Sequence, residues 1–330
     1  MIRTFRCFYV EKDAAGNLVR GVRDLPPEQL PPGEVLVRVE YSSLNYKDAL
    51  AAGGHPGVVR TLPHVPGIDA AGLIEESTSP QLQPGQPVVI TGYDLGAGRW
   101  GGWSELVRVP AEWVVPLPNG LTLRETMILG TAGFTAAQCV LALQTNGLEP
   151  DAGEVVITGA TGGVGSIAVK LLAQLGYHIV AVTGKPQFAA QLQSWGARQV
   201  IGREEVLNTS NKPLLSGRWA AAVDTVGGQT LTTIIRQTKD YGVVAACGLV
   251  GGAELPLTVH PFLLRGVMLA GIASAALRGQ RRLGIWDRLS GPWRIADLES
   301  LASEVPLAGL EGKIQQILRG EIVGRTLVRI

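Results

Sequence analysis

Two stretches of this 330-residue chain concentrate groups that could do chemistry. Ser42-Ser43-Leu44-Asn45-Tyr46-Lys47-Asp48 brings hydroxyl, amide, phenol, ammonium and carboxylate together just where an alternating strand run stops. Polar groups clustered at a strand end are where binding and catalysis are often placed. The second stretch, Glu154–Lys185, carries glycines at Gly159, Gly162, Gly163 and Gly165, in the spacing G-x-x-G-G-x-G. Such glycines make a turn tight enough to leave a strand, bring backbone up to a pyrophosphate and let a helix pack near the sheet. Free amides at the helix start then face the anion.

The flanking pattern supports nucleotide binding over an ordinary loop. Val155–Thr158 is a short β-branched run, apolar residues at Ile167, Val169, Leu171, Leu172 and Leu175 follow at helical spacing, and His178–Thr183 is a second strand-like run. That is a βαβ unit, whose helix must be a crossover because a parallel pair cannot be closed by a hairpin. About twenty residues on, where a chain preferring NAD usually has Asp or Glu, stand Thr183, Gly184 and Lys185. A hydroxyl and an ammonium without a nearby carboxylate suit a 2′-phosphate, so the expected cofactor is NADPH.

The other elements are those that would hold these two stretches. Thr4 to about Asp24 reads as a hairpin turning at Asp13–Asn17, and Val35–Tyr41 alternates apolar and polar residues. With the runs around Ile68–Gly72, Val88–Thr91 and Leu106–Val109, many short strands punctuated by Pro and Gly describe a small β-barrel-like domain. Thr122–Leu143 reads as a buried helix rather than a membrane span, since it holds glycines, threonines and Gln138. Apolar runs at Gln199–Ile201, Trp219–Val223, Val243–Cys247 and Val267–Gly271 raise the strand count of the second domain to about six, as a full dinucleotide-binding sheet requires. Leu310–Arg319 then Arg325–Ile330 reads helix then strand, returning to the first domain.

Composition excludes other classes. There are 29 Lys plus Arg against 28 Asp plus Glu, a formal charge of +1, with no basic stripe for nucleic acid. Cys7, Cys139 and Cys247 are scattered in apolar company, as expected of reduced thiols, and the start shows no secretory leader, so a cytoplasmic location and no membrane partner are expected. His55, His64, His178 and His260 form no ligand-spaced group with each other or with the cysteines, and no metal is expected.

The chain resembles the zinc-independent acrylyl-CoA reductase (YhdH/AcuI) quinone-oxidoreductase-like family of the medium-chain dehydrogenase/reductase superfamily. The segments carrying the resemblance run nearly end to end: SSLNYKDALA at Ser42–Ala51, PGIDAAG at Pro66–Gly72, GTAGFTAA at Gly130–Ala137, TGATGGVGS at Thr158–Ser166, VDTVGG at Val223–Gly228, ACGLVGG at Ala246–Gly252, PFLLRGV at Pro261–Val267 and GRTLV at Gly324–Val328. It implies an α/β fold, a Rossmann doubly wound parallel sheet plus a GroES-like, β-barrel-like catalytic domain. Residues 1–122 would form the first part of the catalytic domain, 123–265 the NADP-binding domain, and 266–330 the last Rossmann strand and the return. The chain departs from the family pattern at Ala273, where a carboxylate is usual, and at Arg319, where asparagine is usual.

The implied reaction is hydride transfer from NADPH to the β-carbon of an α,β-unsaturated thioester, with a proton added at the α-carbon. Asn45, Tyr46 and Asp48 would be the catalytic groups, with Tyr46 also beside the cofactor and a candidate proton donor. Thr131 would reach the nicotinamide amide, while Thr161, Gly162, Gly163 and Val164 would cradle the pyrophosphate. Arg198 would help Thr183, Gly184 and Lys185 with the adenosine phosphate, and Leu249 and Ser274 would touch the cofactor. Asp69 would orient Lys47 or cap a turn. For the phosphates of a CoA substrate Lys47, Arg60, Arg99, Arg265, Arg281 and Arg282 are available. The alternatives are an NADPH quinone or enone reductase on the same scaffold and a non-catalytic NADPH-binding protein. The family also implies a homodimer, with the apolar residues 257–272 supplying a sheet edge.

Overall fold

The computed structural model describes residues 3–330, which fall into two compact units, 3–131 with Ala275–Ile330, and Ala132–Ser274. In the first, β1 (Phe5–Lys12) and β2 (Leu18–Leu25) form an antiparallel hairpin. Asp13 closes its turn by accepting the N–H groups of Ala15 and Asn17. The main strand is β3 (Val35–Leu44), whose alternation buries Val35, Val37 and Val39 and exposes Arg38 and Glu40. It ends directly at α1 (Tyr46–Ala52), so Asn45 is the residue at which strand becomes helix.

The sheet continues through β4 (Asp69–Ser77), β5 (Pro87–Thr91), β6 (Leu106–Val109) and β7 (Val115–Pro116). Then comes α2 (Leu123–Thr145), which breaks at Gly130, where φ is +51° and ψ is −157°. The second unit therefore starts at Ala132 rather than at residue 123. The turns before the break belong to the first unit because Ile128 and Thr131 are hydrogen-bonded into its core. Among the described residues α2 alone is long and apolar enough to cross a membrane, and its most apolar window is 78% buried inside the protein.

The second unit is built on β8 (Glu154–Ile157), α3 (Gly163–Gln174), β9 (His178–Val182), α4 (Ala189–Ser194), β10 (Gln199–Ile201), β11 (Trp219–Asp224), α5 (Gly228–Gln237), β12 (Thr238–Ala246), α6 (His260–Arg265) and β13 (Met268–Gly271). All six strands are parallel, in the order β10-β9-β8-β11-β12-β13. Counted along the chain this is 3-2-1-4-5-6, the doubly wound dinucleotide-binding order, with its switch point between β8 and β11. Helices cover both faces of such a sheet, so the inner strands are apolar throughout, and Val155, Val156, Ile157, Val223 and Val244 are fully buried. Cys139 on α2 and Cys247 after β12, far apart in sequence, are neighbours, and the Cys247 thiol together with burial pushes the Cys139 thiol well above its ordinary range.

The chain then returns to the first unit through α7 (Gly279–Ser290), β14 (Ala302–Pro306), α8 (Leu310–Leu318) and β15 (Arg325–Arg329). β15 pairs antiparallel with β3, opposite Tyr41–Leu44. That pairing brings Arg325 to the strand end where Asn45 stands.

Candidate active site

In the first unit the polar groups after β3 form one buried network. Asp48 and Asn45 close a capping box on α1: Asp48 Oδ2 accepts the Asn45 backbone N–H at 2.8 Å and Asn45 Nδ2 at 3.0 Å. Asp48 Oδ1 accepts the N–H of Ile68 at 2.7 Å. Burial, reinforced by the charge of Asp69, pushes the Asp48 carboxyl up to about 7 against the pull of these donors. The expectation that Asp48 presents a reacting carboxylate is therefore corrected, since it is fully buried and holds the start of α1.

Asn45 is corrected in the same way. Its Nδ2 also donates to Ser43 Oγ at 3.1 Å and Asp69 Oδ2 at 2.9 Å, and its Oδ1 accepts from Arg325 Nη1 at 3.1 Å. Neither end of the amide is left for a substrate. Tyr46, the first residue of α1, is 43% exposed and is the member of the expected trio that faces solvent.

Asp69 neither caps a turn nor serves Lys47; its carboxylate is filled from elsewhere. Oδ2 accepts Ser43 Oγ at 2.5 Å and Asn45 Nδ2, and Oδ1 accepts the N–H and the hydroxyl of Thr131 at 2.9 and 2.6 Å. Arg325 is its buried counter-charge, with Nη2 4.0 Å from Oδ2. The Thr131 hydroxyl hydrogen is thus already used within the protein.

In the second unit a cavity of about 350 Å³ lies at the carboxyl ends of the strands, lined by Thr158, Gly159, Thr161, Thr183, Gly184 and Arg203 among others. The glycines are there for space. At Gly159, φ is +57° and a Cβ would meet Thr225 Oγ1 at 2.3 Å; at Gly165 it would meet the Gly159 carbonyl at 2.3 Å. Gly162 is the N-cap of α3, and Gly163 and Val164 open that helix, where the first N–H groups have no partner within it. Leu249 is exposed in the loop whose Val250 and Gly251 line the cavity. Ser274 Oγ accepts the Thr135 hydroxyl at 2.8 Å and is not a lining residue.

Arg198 is corrected. It precedes β10, gives its N–H to the Ile179 carbonyl, and lies with Nη1 3.4 Å from His178 Nδ1. His178 opens β9 and Gln199 opens β10, so Arg198 is at the amino edge of the parallel sheet, whereas Thr183 follows the carboxyl end of β9. The three residues of β10 alone separate the edges by about 10 Å. The arginine at the cavity is Arg203, after the carboxyl end of β10, lying against Gly184. Sequence reading missed it, although its position after the third strand matches that of Lys185 after the second. Lys185 is half-buried, its N–H bonded to Thr183 Oγ1 at 3.1 Å.

Three of the cations considered for CoA phosphates are held by the protein itself. Arg265 donates to the carbonyls of Arg236, Thr238 and Leu215. Arg282 is buried, donates to Thr91 and Leu277, and lies 4.4 Å from the Tyr93 ring centroid. Arg99 donates to the Arg108 carbonyl. A cavity of about 480 Å³ on the first unit, bordered by Arg38, Glu40, Glu105 and Arg329, shares no residue with Asn45–Asp48. No group of three or more His, Cys, Asp or Glu among the described residues could hold a metal ion.

A doubly wound nucleotide unit interrupting a mainly antiparallel sheet domain is the build of a medium-chain dehydrogenase/reductase. Residues 31–119 match the alcohol dehydrogenase GroES-like domain and residues 163–287 the zinc-binding dehydrogenase domain. The chain is 47% identical to acrylyl-CoA reductase AcuI of Ruegeria pomeroyi, over 99% of each chain. The yhdH oxidoreductase of Salmonella enterica, solved in complex with NADP, is 44% identical with a TM-score of 0.95, covering 98% of this chain and 99% of its own. The putative quinone oxidoreductase YhfP of Bacillus subtilis is 43% identical over 100% of each chain, and its NAD-bound structure has a TM-score of 0.95 over 99% of each. The chain belongs to the acrylyl-CoA reductase (AcuI/YhdH) family of that superfamily.

Proposed function

We propose that the protein is an NADPH-dependent reductase of the carbon–carbon double bond of a small α,β-unsaturated acyl-CoA, turning acrylyl-CoA into propionyl-CoA. The observation that carries this reading is the end-to-end 47% identity with an acrylyl-CoA reductase. The second unit fits the cofactor: Gly159 and Gly165 let the turn pack against Thr225 and the start of the helix where a Cβ would clash, the cavity at the strand ends is lined by that turn, and Arg203 with Thr183 offers a cation and a hydroxyl to a 2′-phosphate.

When bound, NADPH supplies a hydride for the β-carbon. The protein's own task is to hold the thioester, exclude water, and deliver a proton to the α-carbon. Tyr46 holds that proton at Oη, being the exposed phenol of the cluster. Asn45 and Asp48 fix the turn from which Tyr46 projects, and Thr131, held by Asp69 through its N–H and hydroxyl, would lie beside the cofactor's carboxamide. Thr161, Gly162, Gly163 and Val164 serve the pyrophosphate, with Leu249 at the rim; Lys47, Arg60 and Arg281 are the cations left for the CoA phosphates.

A second reading, quinone or enone reduction on the same scaffold, is favoured by the similarity to YhfP. The enzyme works in the cytoplasm as a homodimer. β13 is the last strand of its sheet, and Val259, Leu263, Leu264, Met268 and Leu269 are exposed around it, as suits pairing with a second copy. A monomer by light scattering would remove that assignment. The reaction itself is tested by incubating the protein with NADPH and acrylyl-CoA in D₂O and weighing the product. Propionyl-CoA carrying one deuterium, at the α-carbon, is expected, and absence of reduced thioester refutes the assignment.

A further inference from the structure

The carboxylate of Asp69 touches both segments that the proposed reaction uses, although the reaction as described gives it no part. Its four acceptor positions are all taken: Oδ2 by Ser43 Oγ and Asn45 Nδ2, Oδ1 by the N–H and hydroxyl of Thr131. A neutral amide at this place could not accept four donors. The charge needed to do so is fully buried, and Arg325, itself 2% exposed, stands opposite it.

Arg325 and Asp69 grip the same amide from its two ends. Asn45 Nδ2 donates to Asp69 at 2.9 Å while Asn45 Oδ1 accepts from Arg325 Nη1 at 3.1 Å, so the Asn45 rotamer and the orientation of its amide are both set. Asn45 is the N-cap of α1 and Tyr46 its first residue. On the other side Thr131 follows Gly130, the non-helical break in α2, and Arg325 Nε holds the carbonyl of Ile128 just before that break at 2.8 Å. One carboxylate thus spans from the residue preceding Tyr46 to the residue following the break.

We infer that Asp69, backed by Arg325, is the positioning residue of the reduction, fixing Tyr46 and Thr131 relative to each other through its hydrogen bonds to Asn45 and Thr131. It touches neither substrate nor cofactor. The inference rests on the proposed function for its kinetic consequence but not for its structural one.

The test uses Asp69→Asn and Ser43→Ala in the full-length protein, with ring-labelled tyrosine NMR in which Tyr46→Phe identifies the Tyr46 signal. Asp69→Asn should lower kcat about 100-fold, the effect of a misplacement of about 1 Å, with the NADPH Kd changed less than about 3-fold. The Tyr46 signal should shift or broaden in the same variant. Ser43→Ala, which removes one donor to Oδ2 without changing charge, should move the Tyr46 signal in the same direction by less, and it serves alone if Asp69→Asn does not fold. A Tyr46 signal unchanged in the folded variants overturns the inference, as does wild-type kcat in Asp69→Asn. If the wild-type protein turns over no acyl-CoA, the proposed function fails, while the tyrosine signals, read without substrate, still decide the role of Asp69.

Discussion

Arg203 lies so close to Gly184 that a Cβ on the glycine would fall 2.4 Å from the arginine Nε. The missing side chain is what allows the guanidinium to lie along the cavity wall beside Thr183. Loss of a hydrogen bond to a charged group costs about 1.5–3 kcal/mol, or roughly 10- to 100-fold in affinity. Arg203→Ala should therefore raise KM for NADPH by about that factor and leave KM for NADH unchanged. Arg198→Ala, at the opposite edge of the sheet, should change neither. Steady-state kinetics with both cofactors checks all four values.

Gly130 combines a φ of +51° with neighbours that leave no room, since a Cβ would meet Asp69 Oδ2 at 2.5 Å and Arg325 Nη2 at 2.9 Å. The backbone strain of a side chain there costs about 1–3 kcal/mol before the clash is counted. Gly16 also has a positive φ, +84°, but a Cβ there meets nothing within 4 Å. Thermal unfolding should show Gly130→Ala losing clearly more stability than Gly16→Ala.

Asp48 makes stability depend on pH in the sense opposite to that of an ion-paired carboxylate. Burial raises its folded value to about 7 from 3.8. Between these values the folded state holds a proton that the unfolded chain has released, so stability falls as pH rises. The contribution is fully present below pH 3.8, is lost progressively as pH rises through about 7, and is flat above that. Its size is on the order of a few kcal/mol. Denaturant titrations of wild type and Asp48→Asn from pH 4 to 8, about that window, should show the extra downward slope in the wild type alone.

Tyr46→Phe keeps the ring and removes the hydroxyl. With Tyr46 as proton donor, kcat should fall about 10²- to 10⁴-fold while the NADPH Kd stays close to wild type. Stopped-flow measurement of kcat, with cofactor binding followed by fluorescence, separates the two.

What could be read in the sequence was local. The strand, glycine turn and helix from Val155 to Leu175 are visible because each signal falls within one short window, and β8, α3 and β9 lie there. The Asn45–Tyr46–Asp48 cluster was visible as chemistry-bearing residues, but not the fact that two of the three face inward. That depends on Asp69 from β4, Thr131 from the break in α2 and Arg325 from β15, which only folding brings together. Arg198 and Arg203 look alike in a linear reading, and only the direction of β10 tells them apart. Arg265 and Arg282 look like free surface cations until the carbonyls they hold are seen.

The most direct measurement is the rate of nicotinamide oxidation by the purified protein with acrylyl-CoA, run side by side with NADPH and NADH and with a simple quinone as competing acceptor. Fast oxidation of NADPH with the thioester, slow oxidation of NADH, and slow reaction with the quinone is the expected result. Quinone turnover without thioester turnover would contradict the substrate assignment, and equal use of NADH would contradict the role given to Arg203 and Thr183.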